Sequence, residues 1–322
     1  MTATSLRLVG DIGGTNARFA IARAGDERPA IEDVKHLVVA DFPTAEAALK
    51  SYVQSLPADQ RPAEAVLAAA GPVVHGVADL TNAHGWHLDQ QALAASLGLK
   101  RARVINDFAA LSLAVPALGA ADLTAIGGTA LIDSSQTVSL IGPGTGTGVG
   151  ARVIDGAIAA ILVCEGGHIA FAPNDRLEFE ILRLLARQFG RVSVERILAG
   201  QGMVNLHHAL AEIEGRELAE TSPSAITEAA LGGDEICLAT LNRFFAILGS
   251  VAGDLALAHG ALGGVLLAGG ILPRVTDLLA ASSFRERFED KGRMSKLLHA
   301  MPTNLLIAQD VALLGSAGLK LD

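Results

Sequence analysis

The sequence predicts an α/β chain made of two related halves, and three observations carry that prediction. The first is the opening stretch. Leu6, Leu8 and Val9 lead into Gly10-Asp11-Ile12-Gly13-Gly14-Thr15-Asn16, after which Ala17, Phe19 and Ile21 alternate with Arg18, Ala20 and Ala22. That order reads strand, glycine turn, strand. The second is its repetition downstream, where Val138–Ile141 leads into Gly142-Pro143-Gly144-Thr145-Gly146-Thr147-Gly148-Val149-Gly150 and then Ala151-Arg152-Val153-Ile154. The third is a pair of continuous apolar runs, Ala65–Ala70 and Val265–Ala268, each ended by glycine and fitting a strand buried in a parallel sheet. Two such turns imply two half-molecules facing one ligand.

The remaining elements follow in order. His36–Ala40 reads as a third strand. Thr44 caps a helix whose Ala45, Ala48, Leu49, Tyr52, Val53 and Leu56 share one face, and Pro57 stops it. A loop insertion holds Thr81, Asn82 and Trp86. A helix at Asp89–Leu97 and a strand Ala102–Ile105 bring the chain to Asn106-Asp107. In the second half, Thr137–Ile141, Gly150–Ile154 and Ile158–Val163 are strands, the last two joined by an Asp155-Gly156 hairpin turn. Helices are predicted at Leu177–Phe189, Val194–Leu198, Met203–Ile213 and about Glu235–His259, then a strand at Leu305–Ile307 and a last helix at Val311–Leu319. The domain break falls in Pro116–Asp122. One domain is expected over 1–116 together with the C-terminal helix 309–322, and the other over 117–308.

Composition narrows the function. Half of the 322 residues are hydrophobic, the formal net charge is −9, and no run of Lys and Arg exceeds two residues. Nucleic acid and anionic membrane are therefore poor partners. The two cysteines, Cys164 and Cys237, lie far apart. They exclude a disulfide framework or zinc cluster and point to reducing cytoplasm. No signal core opens the chain, and the longest apolar run, Gly260–Pro273, is shorter than a membrane span. A soluble cytoplasmic protein is expected.

Several residue groups could carry chemistry. Gly13 and Gly14 can take positive φ and bring backbone N–H groups onto an anion, with Thr15 and Asn16 adding donors and Asp11 reaching a phosphate-bound Mg²⁺ through water; the alternative is a plain hairpin turn. Gly146–Ala151 matches the dinucleotide fingerprint G-x-G-x-x-A, but a strand follows where that fingerprint needs a helix. No G-x-x-x-x-G-K-[ST] occurs. Asn106-Asp107 ends an apolar strand, where ligands of open α/β sheets collect. There Asp107 can take a hydroxyl proton with Asn106 holding the same substrate, or Asp107 can cap the following helix. Glu165-Gly166-Gly167-His168 forms a compact polar turn suited to a polyol, although His168 could equally make a structural hydrogen bond. Glu195 could join it or answer a helix N-terminus. Gly269-Gly270 could admit an adenine face or simply turn the chain. His207-His208 reads as structural.

These motifs, with Ser193-Val194-Glu195-Arg196 and Leu267-Ala268-Gly269-Gly270-Ile271 in the same order, resemble the zinc-free bacterial ATP-dependent glucokinases over essentially the whole chain. The resemblance implies a hexokinase/actin-like ATPase fold, with two ribonuclease-H-like α/β domains flanking a cleft. It further implies Asp107 as base for the sugar 6-hydroxyl, with Asn106, Asp107, Glu165, His168 and Glu195 binding sugar. Gly10, Asp11, Ile12, Gly13, Gly14, Thr15, Asn16, Gly144, Thr145 and Gly146 would hold the phosphates of ATP, with Mg²⁺ through Asp11, and Gly269 and Gly270 the adenosine. A kinase for mannose, glucosamine or an N-acetyl sugar, and a non-catalytic sugar sensor, are the rival readings. Related repressors carry a cysteine-rich zinc loop that this chain lacks. Symmetry base rates favour a homodimer, and Trp86 is expected at the rim of the cleft.

Overall fold

Each of the two glycine turns joins two antiparallel neighbours in a sheet, and five strands of the second sheet repeat the order of the first, with a short strand (Leu123–Ala125) added at one edge. The computed structural model describes residues 6–23, 28–80, 85–128, 130–217 and 221–321. Thr81 and Asn82 lie outside these. The chain divides into one unit of Met1–Gly119 with Ala308–Asp322, and a second of Ala120–Ile307. With its solved neighbours described below, this is the actin-like ATPase architecture that the motifs imply.

In the first unit β1 (Leu6–Ile12), β2 (Asn16–Arg23) and β3 (Ile31–Val38) run antiparallel; β4 (Glu64–Ala69) then pairs parallel to β1. A hairpin of β5 (Val77–Leu80) and β6 (Trp86–Asp89) intervenes before β7 (Arg101–Asn106), which lies parallel to β4, giving the order β3-β2-β1-β4-β7. Every residue of β4 is buried, as its unbroken apolar run requires. On one face, Leu8, Ile12, Phe19 and Leu67 pack with α1 (Ala45–Gln54) and α2 (Gln90–Leu97). Thr44 caps α1 through the Ala47 N–H. Small residues line the opposite face, where Val9, Ala20 and Ala22 meet Leu313 and Ala317 of the C-terminal helix Val311–Gly318. Arg7 pins that helix by donating to the carbonyls of Ala317 and Leu319 at 2.7 and 2.6 Å, and its charge is answered by Glu64.

Two expectations are corrected here. The third strand runs over 31–38 rather than 36–40. It is an edge strand with one partly buried residue in three (Ile31, Val34 and Leu37), so neither a strand nor a helix period shows in its sequence. Trp86 is 1% exposed and belongs to the core cluster of the first unit, with its indole N–H donating to the Phe42 carbonyl, so it does not sit at a rim.

The second unit repeats the opening. Short β8 (Leu123–Ala125) is followed by β9 (Val138–Pro143), β10 (Thr147–Asp155) and β11 (Ile158–Cys164), antiparallel in turn, then β12 (Gly264–Leu267) parallel to β9 and β13 (Thr303–Leu306) parallel to β12. The order is β11-β10-β9-β12-β13-β8. Four helices, α4 (Arg176–Phe189), α5 (Gly200–Ile213), α6 (Pro223–Leu231) and α7 (Glu235–His259), build most of the core, completed by α8 (Thr276–Ala281), α9 (Phe284–Glu289) and α10 (Ser295–Ala300). The segment Val194–Arg196, expected to start a helix, is a single 3₁₀ turn. The apolar segment that matters for a membrane comparison is α7 and not 260–273. It is long and apolar enough to span, but 78% of its most apolar window is buried, as in a core helix. Fully buried Glu178, on α4, is held by Arg243 of α7 and Arg287 of α9, tying three helices together. His207 is structural, as expected, bonding Thr240 at 2.9 Å.

Candidate functional site

In the first unit the parallel register places Ile12, Ala69 and Asn106 side by side at the carboxyl ends of β1, β4 and β7. The glycine turn after Ile12 and the Asn106-Asp107 pair therefore emerge from one edge of the sheet, two strand spacings of about 4.8 Å apart. This is where an open α/β sheet binds ligands.

The turn closes with Gly13 N–H on the Asn16 carbonyl at 3.0 Å. Neither Gly13 nor Gly14 has positive φ, contrary to the sequence expectation. Gly10 and Ile12 are buried in the sheet, Gly10 against Leu67 and Phe19, so they support the turn from beneath; Thr15 and Asn16 are exposed. Asp11 lies 3.4 Å from Arg18, which also stands 3.7 Å from Asp310. Asp310 was not singled out from the sequence, although Asp before an apolar helix is a start signal. It holds φ of 60° and does not cap, and its Oδ1 is buried without a hydrogen bond among the described residues. Burial raises the Asp11 carboxyl above its ordinary value; Arg18 opposes the shift and Asp310 adds to it.

The helix cap is decided by geometry. Asn106, and not Asp107, caps α3 (Asp107–Ala114), accepting from the N–H groups of Phe108 and Ala109 at 2.9 and 3.1 Å while its amide donates to the Gly71 carbonyl at 3.0 Å. Asn106 is thus 7% exposed and mostly committed to structure. Asp107 is the first residue of the helix, half-buried, with Oδ1 accepting from Phe108 N–H at 2.9 Å. The positive end of the helix attracts that carboxylate and fixes its direction.

In the second unit, Gly144-Thr145-Gly146 follows β9, and the chain after β12 runs alongside, with Ala268 N–H on the Ile141 carbonyl at 2.9 Å. Gly269 has φ of 89° and presses against the Pro143 carbonyl, leaving no room for a Cβ; Gly270 faces open space. The turn is stitched to the start of α5 by Gly200 N–H on the Gly144 carbonyl at 2.8 Å. The residue before that helix, Ala199, gives it no side-chain cap.

The polar turn Glu165–His168 folds onto β10 because Gly166 packs on Val149 and Gly167 on the Thr147 carbonyl, both too close for a Cβ. Pairing of Ala170 with Ser193, and Val194 N–H on the Ile169 carbonyl at 3.0 Å, then bring Glu195 to the same strand. Glu195 Oε2 accepts the Thr147 N–H at 2.8 Å, rather than answering a helix N-terminus. Glu165 and His168 are exposed. The structure thus gathers Glu165, His168, Glu195 and the 144–146 turn around one residue, Thr147.

Asp11→Asn tests the burial of that carboxylate. A raised acid favours its neutral form in the folded state. The wild type's stability relative to the variant is therefore fully present below the unfolded value of about 3.9, and is lost as pH rises through the raised folded value. Thermal unfolding should find the Asn variant at least as stable as the wild type at pH 7, with its relative advantage disappearing below about pH 4. A variant clearly less stable at pH 7 would contradict this.

Comparison with known proteins identifies the family of the chain. A family model described as Glucokinase matches residues 8–321. The chain is 46% identical over 317 residues to a glucokinase of Caulobacter sp. (strain K31), covering 98% of this chain and 95% of that protein. The solved glucokinase from an Antarctic psychrotroph superposes with a TM-score of 0.87 at 38% identity, covering 97% of this chain and 98% of the other. A glucokinase from Balamuthia mandrillaris, solved in complex with glucose, shares the fold at a TM-score of 0.78 and 21% identity, covering 97% of this chain and 92% of that one. The chain belongs to the glucokinase family, whose members are ATP-dependent hexose kinases.

Proposed function

We propose that the chain transfers the γ-phosphoryl group of ATP to the 6-hydroxyl of D-glucose, giving glucose 6-phosphate and ADP. The observation that carries this reading is the place of Asp107, the first residue of α3 at the ligand-binding edge of the sheet, directly after the Asn106 cap. The glucokinase relatives and the glucose in the Balamuthia neighbour supply the sugar.

In this reading the 6-hydroxyl oxygen bonds to the γ-phosphorus, the bond from that phosphorus to the ADP oxygen breaks, and the hydroxyl proton passes to Asp107. A carboxylate is a weak base toward an alcohol, so the proton moves late, once the new bond has formed. Glu165, His168 and Glu195 accept from and donate to the other sugar hydroxyls, and Asn106 contributes its remaining amide hydrogen. The turns Gly10–Asn16 and Gly144–Gly146 hold the phosphates, helped by the positive end of uncapped α5; Gly269 and Gly270 flank the adenosine.

Mg²⁺ accompanies the ATP, and the residues fit it. Asp11 and the unbonded Oδ1 of Asp310 are hard oxygen donors on either side of Arg18, suited to an ion that keeps much of its water. When bound it neutralises phosphate charge. We place the reaction in the cytoplasm, in keeping with two unpaired cysteines.

We also propose a homodimer formed along β11. This edge strand, IAAILVC, bears no charge in a chain of net charge −9, and Ile158, Leu162 and Val163 are 68%, 37% and 52% exposed. An unblunted edge of this kind accepts another strand, and a copy of itself brings no like charge to it.

Asp107→Asn should leave glucose binding intact by calorimetry and lower turnover by about 10²–10⁴. Turnover near wild type would contradict the base. Gly270→Val, at a position open to solvent, should fold and raise the ATP KM with the glucose KM nearly unchanged; an unaltered ATP KM would remove the β12 end from the nucleotide site. Gly269 cannot serve here, since any side chain collides with Pro143. Sedimentation should find a dimer that Leu162→Lys converts to an active monomer; a dimer unaffected by that change would contradict the β11 face.

A further inference from the structure

We infer that Thr147 is a positioning residue that sets Glu195 for the sugar, an inference resting on Glu195 as a sugar ligand. Thr147 is 7% exposed at the start of β10, directly after the 144–146 turn. It holds the Glu195 segment at two points. Its N–H donates to Glu195 Oε2 at 2.8 Å, and its hydroxyl donates to the Leu198 carbonyl at 2.6 Å. With Oε2 committed, Oε1 makes no hydrogen bond among the described residues and is the oxygen presented to a ligand.

The hydroxyl matters because of what lies between the two contacts. Residues 194–196 form one 3₁₀ turn, and α5 starts only at Gly200. The Leu198 carbonyl is where this short connection is tied to β10, beside the Gly200 N–H that bonds the Gly144 carbonyl. Losing the hydroxyl strands a buried carbonyl and frees the connection to shift, carrying the carboxylate with it. Gly167 packs against the Thr147 carbonyl, so the Glu165–His168 turn is referenced to the same point of the chain. Thr147 therefore sets the spacing between the carboxylates proposed to grip the sugar. A strand-forming aliphatic residue would satisfy β10 equally well; only a hydroxyl makes the second tether.

The test is a kinetic cycle of Thr147→Val, Thr147→Ser, Glu195→Gln and the Val/Gln double variant, with Thr147→Ala alongside in case valine impairs folding. Thr147→Val or Thr147→Ala should raise the glucose KM about tenfold, with kcat and the ATP KM within about twofold. Thr147→Ser should stay near wild type, and Thr147→Val should add little on the Glu195→Gln background. If Glu195→Gln leaves the glucose KM unchanged, the sugar-ligand reading itself fails. If Glu195→Gln raises it but folded Thr147→Val and Thr147→Ala do not, or if the two effects simply add, the positioning role is overturned. Failure of both the valine and alanine variants to fold, with the serine variant normal, would assign the hydroxyl to stability alone and likewise overturn it.

Discussion

The proposed site of the second unit depends on two places where backbone meets backbone without a side chain between. Gly167 lies on the Thr147 carbonyl and Gly269 on the Pro143 carbonyl. A Cβ at either position would collide with a carbonyl oxygen fixed in a sheet, so relief would require a strand to move. The first contact lets the Glu165–His168 turn lie flat on β10, and the second lets the end of β12 lie against the glycine turn. The glycines thus do more than bend the chain: they set the depth of the proposed site. Polar groups then finish what the absent side chains permit, with Glu195 and Leu198 tethered to Thr147 and Gly200 to Gly144.

The first unit reaches an equivalent arrangement by different means. Parallel pairing of β1, β4 and β7 aligns their ends, and Asn106 caps α3 and donates to Gly71, fixing the strand end from which Asp107 emerges. The cost appears at Asp11 and Asp310. One carboxyl is raised by burial, and the other holds a left-handed backbone with an unbonded oxygen. Folding alone rewards neither feature, and such local conflicts concentrate where proteins bind ligands. Close packing of the C-terminal helix on α3, where Gly315 meets the Ala110 carbonyl, keeps Asp310 beside Arg18 and Asp11.

Much of this was legible in the sequence. The repeated strand–turn–strand pattern, the buried run of β4, the Thr44 cap and the full extent of α7 follow from apolar spacing and a few strong local signals. The family could be read from motif order alone. Other features were not legible, each for a physical reason. Edge strand β3 lacks a period because water covers most of it. Asp107 and Asn106 both fit a cap, and only hydrogen-bond geometry assigns it to Asn106. Gly13 and Gly269 look alike in sequence, but only Gly269 uses positive φ. Asp310 is remote from Asp11 in sequence and joins it through the fold. Trp86 sits in a loop insertion by sequence, while the structure places it on β6 with its ring buried in the core of the first unit.

The central claim is that this fold places phosphate on the 6-hydroxyl of glucose in preference to other sugars. The most direct measurement is to incubate the protein with Mg²⁺-ATP and, separately, glucose, mannose, glucosamine, N-acetylglucosamine and N-acetylmannosamine, following ADP release and identifying each product by phosphorus and carbon NMR. The account predicts ADP and glucose 6-phosphate in equal amounts, with glucose giving the highest kcat/KM of the panel. Phosphate on another hydroxyl, a clear preference for another sugar, or sugar binding with no transfer would contradict it.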